Sequence, residues 1–500
     1  MAETAGEAPS SPLHVVVFPW LAFGHIIPYL ELSEQLTRRG HAVTFISAPR
    51  NIARLRPVQE DLSSRIRFVP LPLPSVEGLP DGAESTADVP PEKVELLKVA
   101  FDGLAAPFAS FLAEACAGQD GARGFGKKPD WILVDFAHYW LPPIAEHHKV
   151  PCAFFSIFPA AFIAFVGPKT ENDAEPRTIP EDLTAQPRWI PFPTHIAHHL
   201  HEAKVIIQAF RPNASGLSDI CRFWQTEQRC ALIILRSCRE VEGPLCALLA
   251  DLFRKPVAPS GLLSPYDSAR AAHQQAAADR VAVEGDSKES ASLMRWLNEQ
   301  PARSVIYVAF GSEAPLSPDH VRELALGLEL AGVRFVWALR ERSGPLLPDG
   351  FEERVAGRGV VCVGWVPQVR VLAHGAVGAF LTHAGWSSLM ESFLFGHPLV
   401  MLPLFADQCL TARAMTSRAV GLEVPRDEDD GSFGRDDVAR TVRRVMAEDD
   451  EEGKWFARNA KELQEILWDR ARQEKYADEL VDHLQQGLRE RECRTHEKES

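Results

Sequence analysis

Nowhere in this 500-residue chain does an unbroken apolar run reach the length of about 18 residues that a helix needs to cross a bilayer. No membrane span is therefore expected. The opening MAETAGEAPSSPLH lacks the basic start and apolar stretch of a secretory signal. Positive charge is in deficit: 53 Lys and Arg stand against 68 Asp and Glu, for a formal net charge of -15. That argues against nucleic acid as a partner, since phosphates call for a basic stripe. It leaves a small anionic ligand open, because helix N-termini and a few placed donors can bind a diphosphate. The nine cysteines, Cys116, Cys152, Cys221, Cys230, Cys238, Cys246, Cys362, Cys409 and Cys493, are odd in number and form no CxxC pair. They read as small buried residues of a reduced, cytoplasmic protein. No fixed-period repeat is present. No GxGxxG follows the first strand, which counts against a nicotinamide-dependent oxidoreductase. No GxSxG elbow occurs, which counts against a hydrolase.

What is present is an alternation of short apolar runs with helical patterns. Hydrophobic residues make up 46% and charged residues 24% of the chain, enough to build sizeable cores, and the length exceeds what one core usually serves. Strands are expected at 13–18, 42–47, 66–71, 131–136, 152–157 and 231–236, with a helix from about Ile26 to Arg39 closed by Gly40. Runs of Val, Ile and Phe without polar interruption suit a parallel sheet covered on both faces. Pro, Gly and Ser then cluster from 255 to 268, which marks a linker. A second series follows, with strands at 304–310, 334–340, 359–365, 377–383 and 398–404. Ser317-Pro318 caps a helix to about Ala331, and further helices are expected over 435–448 and 453–489. The reading is α/β: two doubly wound domains over 1–254 and 276–473, a linker over 255–275, and a C-terminal helix over 474–500. Ligands of such sheets sit beyond the carboxyl ends of the strands. His25, Asp135, Ser312, Trp365, His383 and Asp407 all fall at those ends, which points to a cleft between the two domains.

The 44 residues from Trp365 to Gln408 open WVPQ, carry HAGW at their centre, place Glu391 five positions after Trp386 and close on Asp407-Gln408. This segment resembles the signature box of plant secondary-product UDP-glycosyltransferases. The likeness extends to FGH at 23–25, VD at 134–135 and YVAFGS at 307–312. It implies the GT-B architecture: two Rossmann-like domains facing a central cleft, the first for the acceptor and the second for the UDP-sugar, with the last helix returning to the first. It also implies roles. Trp365 would stack on uracil, while Gln368 and Glu391 would hold the ribose. His383, Ser388 and the backbone at the helix start near Gly385 would hold the diphosphate, with Ser312 joining them. Asp407 and Gln408 would bind sugar hydroxyls, in a pocket shaped by Trp386. The centre reads HAGWSS where the family has HCGWNS, so Ser387 stands in place of an asparagine donor and offers a shorter hydroxyl.

His25 is the expected base. It opens a helix after the first strand, and neutral imidazole takes a proton from a hydroxyl near pH 7. The helix N-terminus disfavours its charged form. Asp135 would orient it and stabilise the imidazolium. The reaction expected is a single displacement with inversion, the protein itself stabilising the departing UDP. Neither a metal nor another cofactor is expected. Asp427-Glu428-Asp429 fits the letters of a metal-binding DxD but sits in a charge-dense loop. The closing Asp407-Gln408 resembles glucose-using members, so UDP-glucose is the expected donor. The stretches 20–25, 48–55 and 71–86 resemble the branch that adds sugar to the glycosides of flavonoids or terpenoids, often through a 1,2 linkage. The region 158–215, rich in Phe, Pro and His, would line the acceptor pocket. An aglycone-directed transferase and a non-catalytic UDP-sugar binder are the alternatives; the family habit is a monomer.

Overall fold

In a computed structural model describing residues 11–119, 121, 124–263, 288–311, 316–339, 347–447 and 449–499, the apolar runs form two all-parallel sheets. The first contains β1 (His14–Phe18), β2 (Ala42–Ser47), β3 (Ile66–Pro70), β4 (Trp131–Val134), β5 (Cys152–Ser156), β6 (Leu232–Leu235) and β7 (Val257–Pro259), in the order β3-β2-β1-β4-β5-β6-β7. The second contains β8 (Val305–Ala309), β9 (Arg334–Leu339), β10 (Gly359–Val363), β11 (Val377–Thr382), β12 (Leu399–Met401) and β13 (Gly421–Glu423), in the order β10-β9-β8-β11-β12-β13. Strand order reverses between β1 and β4 and again between β8 and β11. These are the two switch points where an open α/β sheet presents a crevice to a ligand. The central strands β1, β4, β5, β8 and β11 are buried along their whole length, as helices on both faces require.

The chain divides into two compact units. One comprises residues 1–160, 209–263 and 471–500, the other residues 161–208 and 264–470. The sequence reading differs in four places. It assigns 161–208 to the first domain, whereas this segment belongs to the second unit. It counts Val257–Pro259 as linker, whereas these residues form β7 and pair with Ile233–Leu235. Proline is tolerated there because the strand is an edge. The remainder of the expected linker, from 264, lies outside the described residues. It reads 453–489 as one helix, whereas Asp469, with ψ 83, separates Glu451–Trp468 from Arg470–Glu499. Finally, it passes over β13, a three-residue edge in which a Cβ on Gly421 would lie 2.0 Å from the Leu399 carbonyl oxygen.

The helix Arg470–Glu499 is part of the first unit. Leu480 and Leu484 enter its core, and the Trp131 indole N–H donates to the Leu484 carbonyl at 2.9 Å. Arg39 donates to Asp478 at 2.6 Å and to the Glu474 carbonyl at 2.7 Å. The stretch Pro91–Cys116 is apolar enough in composition to pass for a membrane span. In the fold it is broken at Gly103–Leu104 into two helices, and Leu97, Phe101, Phe108 and Leu112 are fully buried, with Phe101 edge-on and Phe108 tilted against Phe18.

Each core holds a histidine that burial keeps neutral. His138 lies edge-on to Phe18 and Phe101, and burial pushes it down to about 4. His397 donates from Nε2 to the Leu372 carbonyl at 2.7 Å and is likewise pushed down to about 4 by burial. Unfolding returns both to the ordinary imidazole range near 6.5. Between about pH 6.5 and 4 the unfolded chain therefore binds more protons, and stability present above that window is lost on acidification. The melting temperature at pH 4.5 is expected to fall below that at pH 7 by on the order of 5–10 °C. Scanning calorimetry checks this, and a flat profile between those values would show that these rings protonate without cost.

Candidate active site

Each switch point carries a cluster of polar side chains. In the first unit, His25 occupies the first turn of the helix Phe23–Arg38, its backbone N–H bonded to the Ala22 carbonyl at 2.9 Å. The helix thus begins three residues earlier than the apolar periodicity predicts. Asp135 follows β4 directly, on the strand adjacent to β1. His25 Nδ1 lies 2.7 Å from Asp135 Oδ2. The same oxygen accepts the Trp20 backbone N–H at 3.0 Å, and Oδ1 accepts that of Phe136 at 2.7 Å. Burial alone would raise this carboxyl. The imidazole beside it and the Trp20 N–H more than offset that, holding it below the ordinary carboxylate range. An ionised carboxylate only accepts, so Nδ1 is the donor and the ring's lone pair is on Nε2. Phe136 and Phe158 stand 5.8 and 5.4 Å from the imidazole.

The loop carrying Asp135 is held from below by a contact the sequence reading misses. Arg222, fully buried on the helix Asp219–Gln228, makes a two-pronged bond to Asp102 at 2.7 and 2.6 Å and reaches the Ala137 carbonyl at 3.4 Å. Thr226 Oγ1 donates to the Phe136 carbonyl at 3.2 Å. An arginine every few residues on a helix surface is ordinary, and nothing local marks this one as internal.

In the second unit, His383 follows β11 and Gly385 caps the helix Trp386–Phe393. Two glycines make room for the imidazole. A Cβ on Gly311, just after β8, would lie 2.8 Å from His383 Cε1, and one on Gly385 would lie 2.4 Å from Nε2. The ring is enclosed although its edge is partly open, and desolvation pushes it down to about 4. Ala384 takes a left-handed φ of 62° between His383 and the cap. The first turn then presents Ser387 and Ser388, both partly exposed, at the positive end of the helix dipole, while Trp386 is buried.

Trp365, after β10, is 82% exposed, an extreme value for so large an apolar ring. Gln368 begins the helix Gln368–Ala373 and donates from Nε2 to Glu391 Oε2 at 2.7 Å. The Tyr307 hydroxyl, on β8, lies 3.4 Å from Gln368 Oε1, with its ring stacked on Phe380 of β11. Asp407 caps the helix Gln408–Ser417 and is partly exposed. Gln408 is buried, and its Oε1 accepts the Leu404 and Phe405 backbone N–H groups at 3.0 and 3.2 Å. Its oxygen is thereby committed to the turn, leaving the amide NH2 as what it can offer a ligand. Ser312 lies outside the described residues. Tyr307 and Gly311, which stand against Gln368 and His383, are passed over by the sequence reading, although both lie within the YVAFGS stretch it singles out.

The acidic run is a turn. Asp427 Oδ1 accepts the Asp429 and Asp430 backbone N–H groups at 2.9 and 3.2 Å, and Glu428 pairs with His199 at 3.0 Å.

Residues 281–473 match the family described as UDP-glucoronosyl and UDP-glucosyl transferase. Over 488 residues the chain is 41% identical to UDP-glycosyltransferase 91A1 of Arabidopsis thaliana, covering 96% of this chain and 98% of that one. It is 34% identical to an anthocyanidin-3-O-glucoside rhamnosyltransferase of Petunia hybrida, over 94% of this chain and 96% of that one. Among solved structures, UGT73P12 of Glycyrrhiza uralensis, complexed with glycyrrhetinic acid 3-O-monoglucuronide, superimposes with a TM-score of 0.75. That match covers 98% of this chain and 99% of that one at 22% identity.

Proposed function

This chain belongs to the UDP-glucoronosyl and UDP-glucosyl transferase family, it is a UDP-glycosyltransferase of the GT-B fold, and we propose that it transfers glucose from UDP-glucose to a sugar hydroxyl of a flavonoid or terpenoid glycoside. The observation that carries the catalytic part is the buried 2.7 Å bond between His25 and Asp135. It directs the basic nitrogen, Nε2, away from the carboxylate and towards an acceptor. In this mechanism the acceptor hydroxyl gives its proton to Nε2 as its oxygen attacks the anomeric carbon. The bond from that carbon to the UDP oxygen breaks on the opposite face, so an α-linked donor yields a β-glycoside. Asp135, held ionised, stabilises the imidazolium that forms.

Leaving-group charge is met by the second cluster. Ser387, Ser388, His383 and the helix start at Gly385 face the diphosphate, an arrangement suited to an anion. The uncovered face of Trp365 receives uracil, and the Gln368–Glu391 pair receives the ribose hydroxyls. Asp407 and the Gln408 amide take the sugar. With those donors in place we expect turnover without added metal. All nine cysteines are free thiols, in keeping with a cytoplasmic setting.

The Petunia relative is named for a glucoside acceptor, which supports sugar-on-sugar transfer, and for rhamnosyl transfer, which favours UDP-rhamnose as a second reading of the donor. The test is acceptor-dependent UDP release with each donor, on flavonoid and terpenoid glycosides and on their sugar-free parents, with added sugars counted by mass. Product from UDP-glucose on the glycosides alone is the expected result. Product on the parents would make the enzyme aglycone-directed, and product only from UDP-rhamnose would replace the donor. UDP binding without any turnover would point to a non-catalytic binder.

A further inference from the structure

A buried carboxylate ties residues 161–208 to the rest of the second unit. Glu202, 3% exposed, lies on the helix Leu200–Ile206. Its Oε2 accepts the His199 backbone N–H at 2.9 Å and Arg413 Nη2 at 2.5 Å, while Oε1 accepts Arg426 Nη2 at 2.8 Å. Burial would raise its carboxyl, but His198 and the two guanidiniums hold it far below the ordinary range. The ligand atoms of His198, Glu202 and Cys409 lie within 4.8 Å of one another. By residue type that set suits a divalent cation. Two guanidiniums already face the carboxylate, however, and a further double charge beside them would be repelled. The cluster is a charge-locked joint.

What the joint grips is specific. Cys409 and Arg413 occupy the first two turns of the helix Gln408–Ser417, whose cap is Asp407. The Arg413 Nη1 also donates to the Cys409 carbonyl at 2.7 Å. Glu202 is thus fastened to the end of the helix that bears the sugar-facing pair, next to the turn that Gln408 Oε1 closes. On its other side the same segment holds the loop after β13, through His201 N–H to the Glu428 carbonyl at 3.1 Å and Lys204 Nζ to the Asp429 carbonyl at 2.7 Å.

We propose that Glu202 is a positioning residue for donor-sugar recognition: it sets the placement of the Asp407–Gln408 turn from a segment outside the signature box. This rests on the reading of Asp407 and Gln408 as the residues that take the sugar. A joint serving stability alone would affect UDP and UDP-glucose alike. A joint that places the sugar-facing turn affects only the ligand that carries a sugar.

The experiment is calorimetric titration of the full chain with UDP and with UDP-glucose, for Glu202→Gln, Glu202→Asp and Asp407→Asn. Glu202→Gln is expected to weaken UDP-glucose about tenfold and UDP less than about twofold, since small misplacements of positioning groups carry effects of that order. Glu202→Asp should recover part of the loss. Glu202→Gln removes the carboxylate bonded to both guanidiniums; should it not fold, Arg426→Lys keeps the charge, removes the planar fork and carries the same expectation. Equal loss for both ligands, or no loss in a folded variant, overturns the proposal provided Asp407→Asn still separates the ligands. If Asp407→Asn does not separate them, the sugar-end reading fails and the proposal falls with it.

Discussion

Replacing His25 by alanine is expected to lower kcat by on the order of 10²–10⁴ while UDP binds as before. The imidazole opens the helix that follows β1 and lies 2.7 Å from the buried Asp135 carboxylate. Its removal takes away the proposed proton acceptor, and the uncatalysed ionisation of a hydroxyl near neutral pH is too unfavourable to replace it. The fold should survive, because Asp135 keeps its bonds to the Trp20 and Phe136 backbone N–H groups and is not left as a bare buried charge. Steady-state turnover and titration with UDP on the same preparation make the measurement. Loss of transfer with UDP affinity intact assigns His25 to chemistry. Loss of both would make it a structural residue, with the bond to Asp135 serving the loop.

The second large effect is expected from Gly311→Ala. Gly311 has φ +71°, a region an alanine enters at a cost of about 1–2 kcal/mol. Its new Cβ would also lie 2.8 Å from His383 Cε1. The Gly385 backbone also stands close to this ring, since a Cβ there would lie 2.4 Å from Nε2. Overpacking of this kind costs about 1–3 kcal/mol. The imidazole must shift, and the proposed diphosphate cradle with it. UDP affinity is expected to fall by on the order of 10–100-fold, with a lowered melting temperature. Unchanged UDP affinity in a folded variant would place the diphosphate away from His383.

Much of this was legible in the sequence, for reasons that differ by element. The central strands announce themselves because burial on both faces leaves no polar position to break the run, as in VVVF of β1 and WILV of β4. The meeting of His25 with Asp135, 110 positions apart, follows from parallel topology, since both end neighbouring strands where the order reverses. Three-residue edges do not announce themselves: β7 carries a proline and reads as linker, and β13 carries a glycine and is passed over. The allegiance of 161–208 is invisible for another reason. Its ties include Glu202 meeting arginines 211 and 224 positions away, and long-range charge pairing has no local period. Arg222 hides in the same way, its partner Asp102 lying 120 positions earlier. Gln408 shows a limit of a different kind. A motif reports that an amide belongs at a position, but which half of it is spent on the turn is seen only once the backbone is in place.

The break at Asp469 bears on how the protein is made. The helix beyond it supplies Leu480 and Leu484 to the first unit and covers the Trp131 indole. A ribosome adds on the order of 5–20 residues per second, so the sheet that begins emerging first waits for the final segment of the chain before its core is sealed. Until then β4 keeps an uncovered tryptophan. The first unit's core is completed only by residues synthesised after the second unit, and a nascent chain stopped short of Arg470 would expose that surface to chaperones or to its own copies.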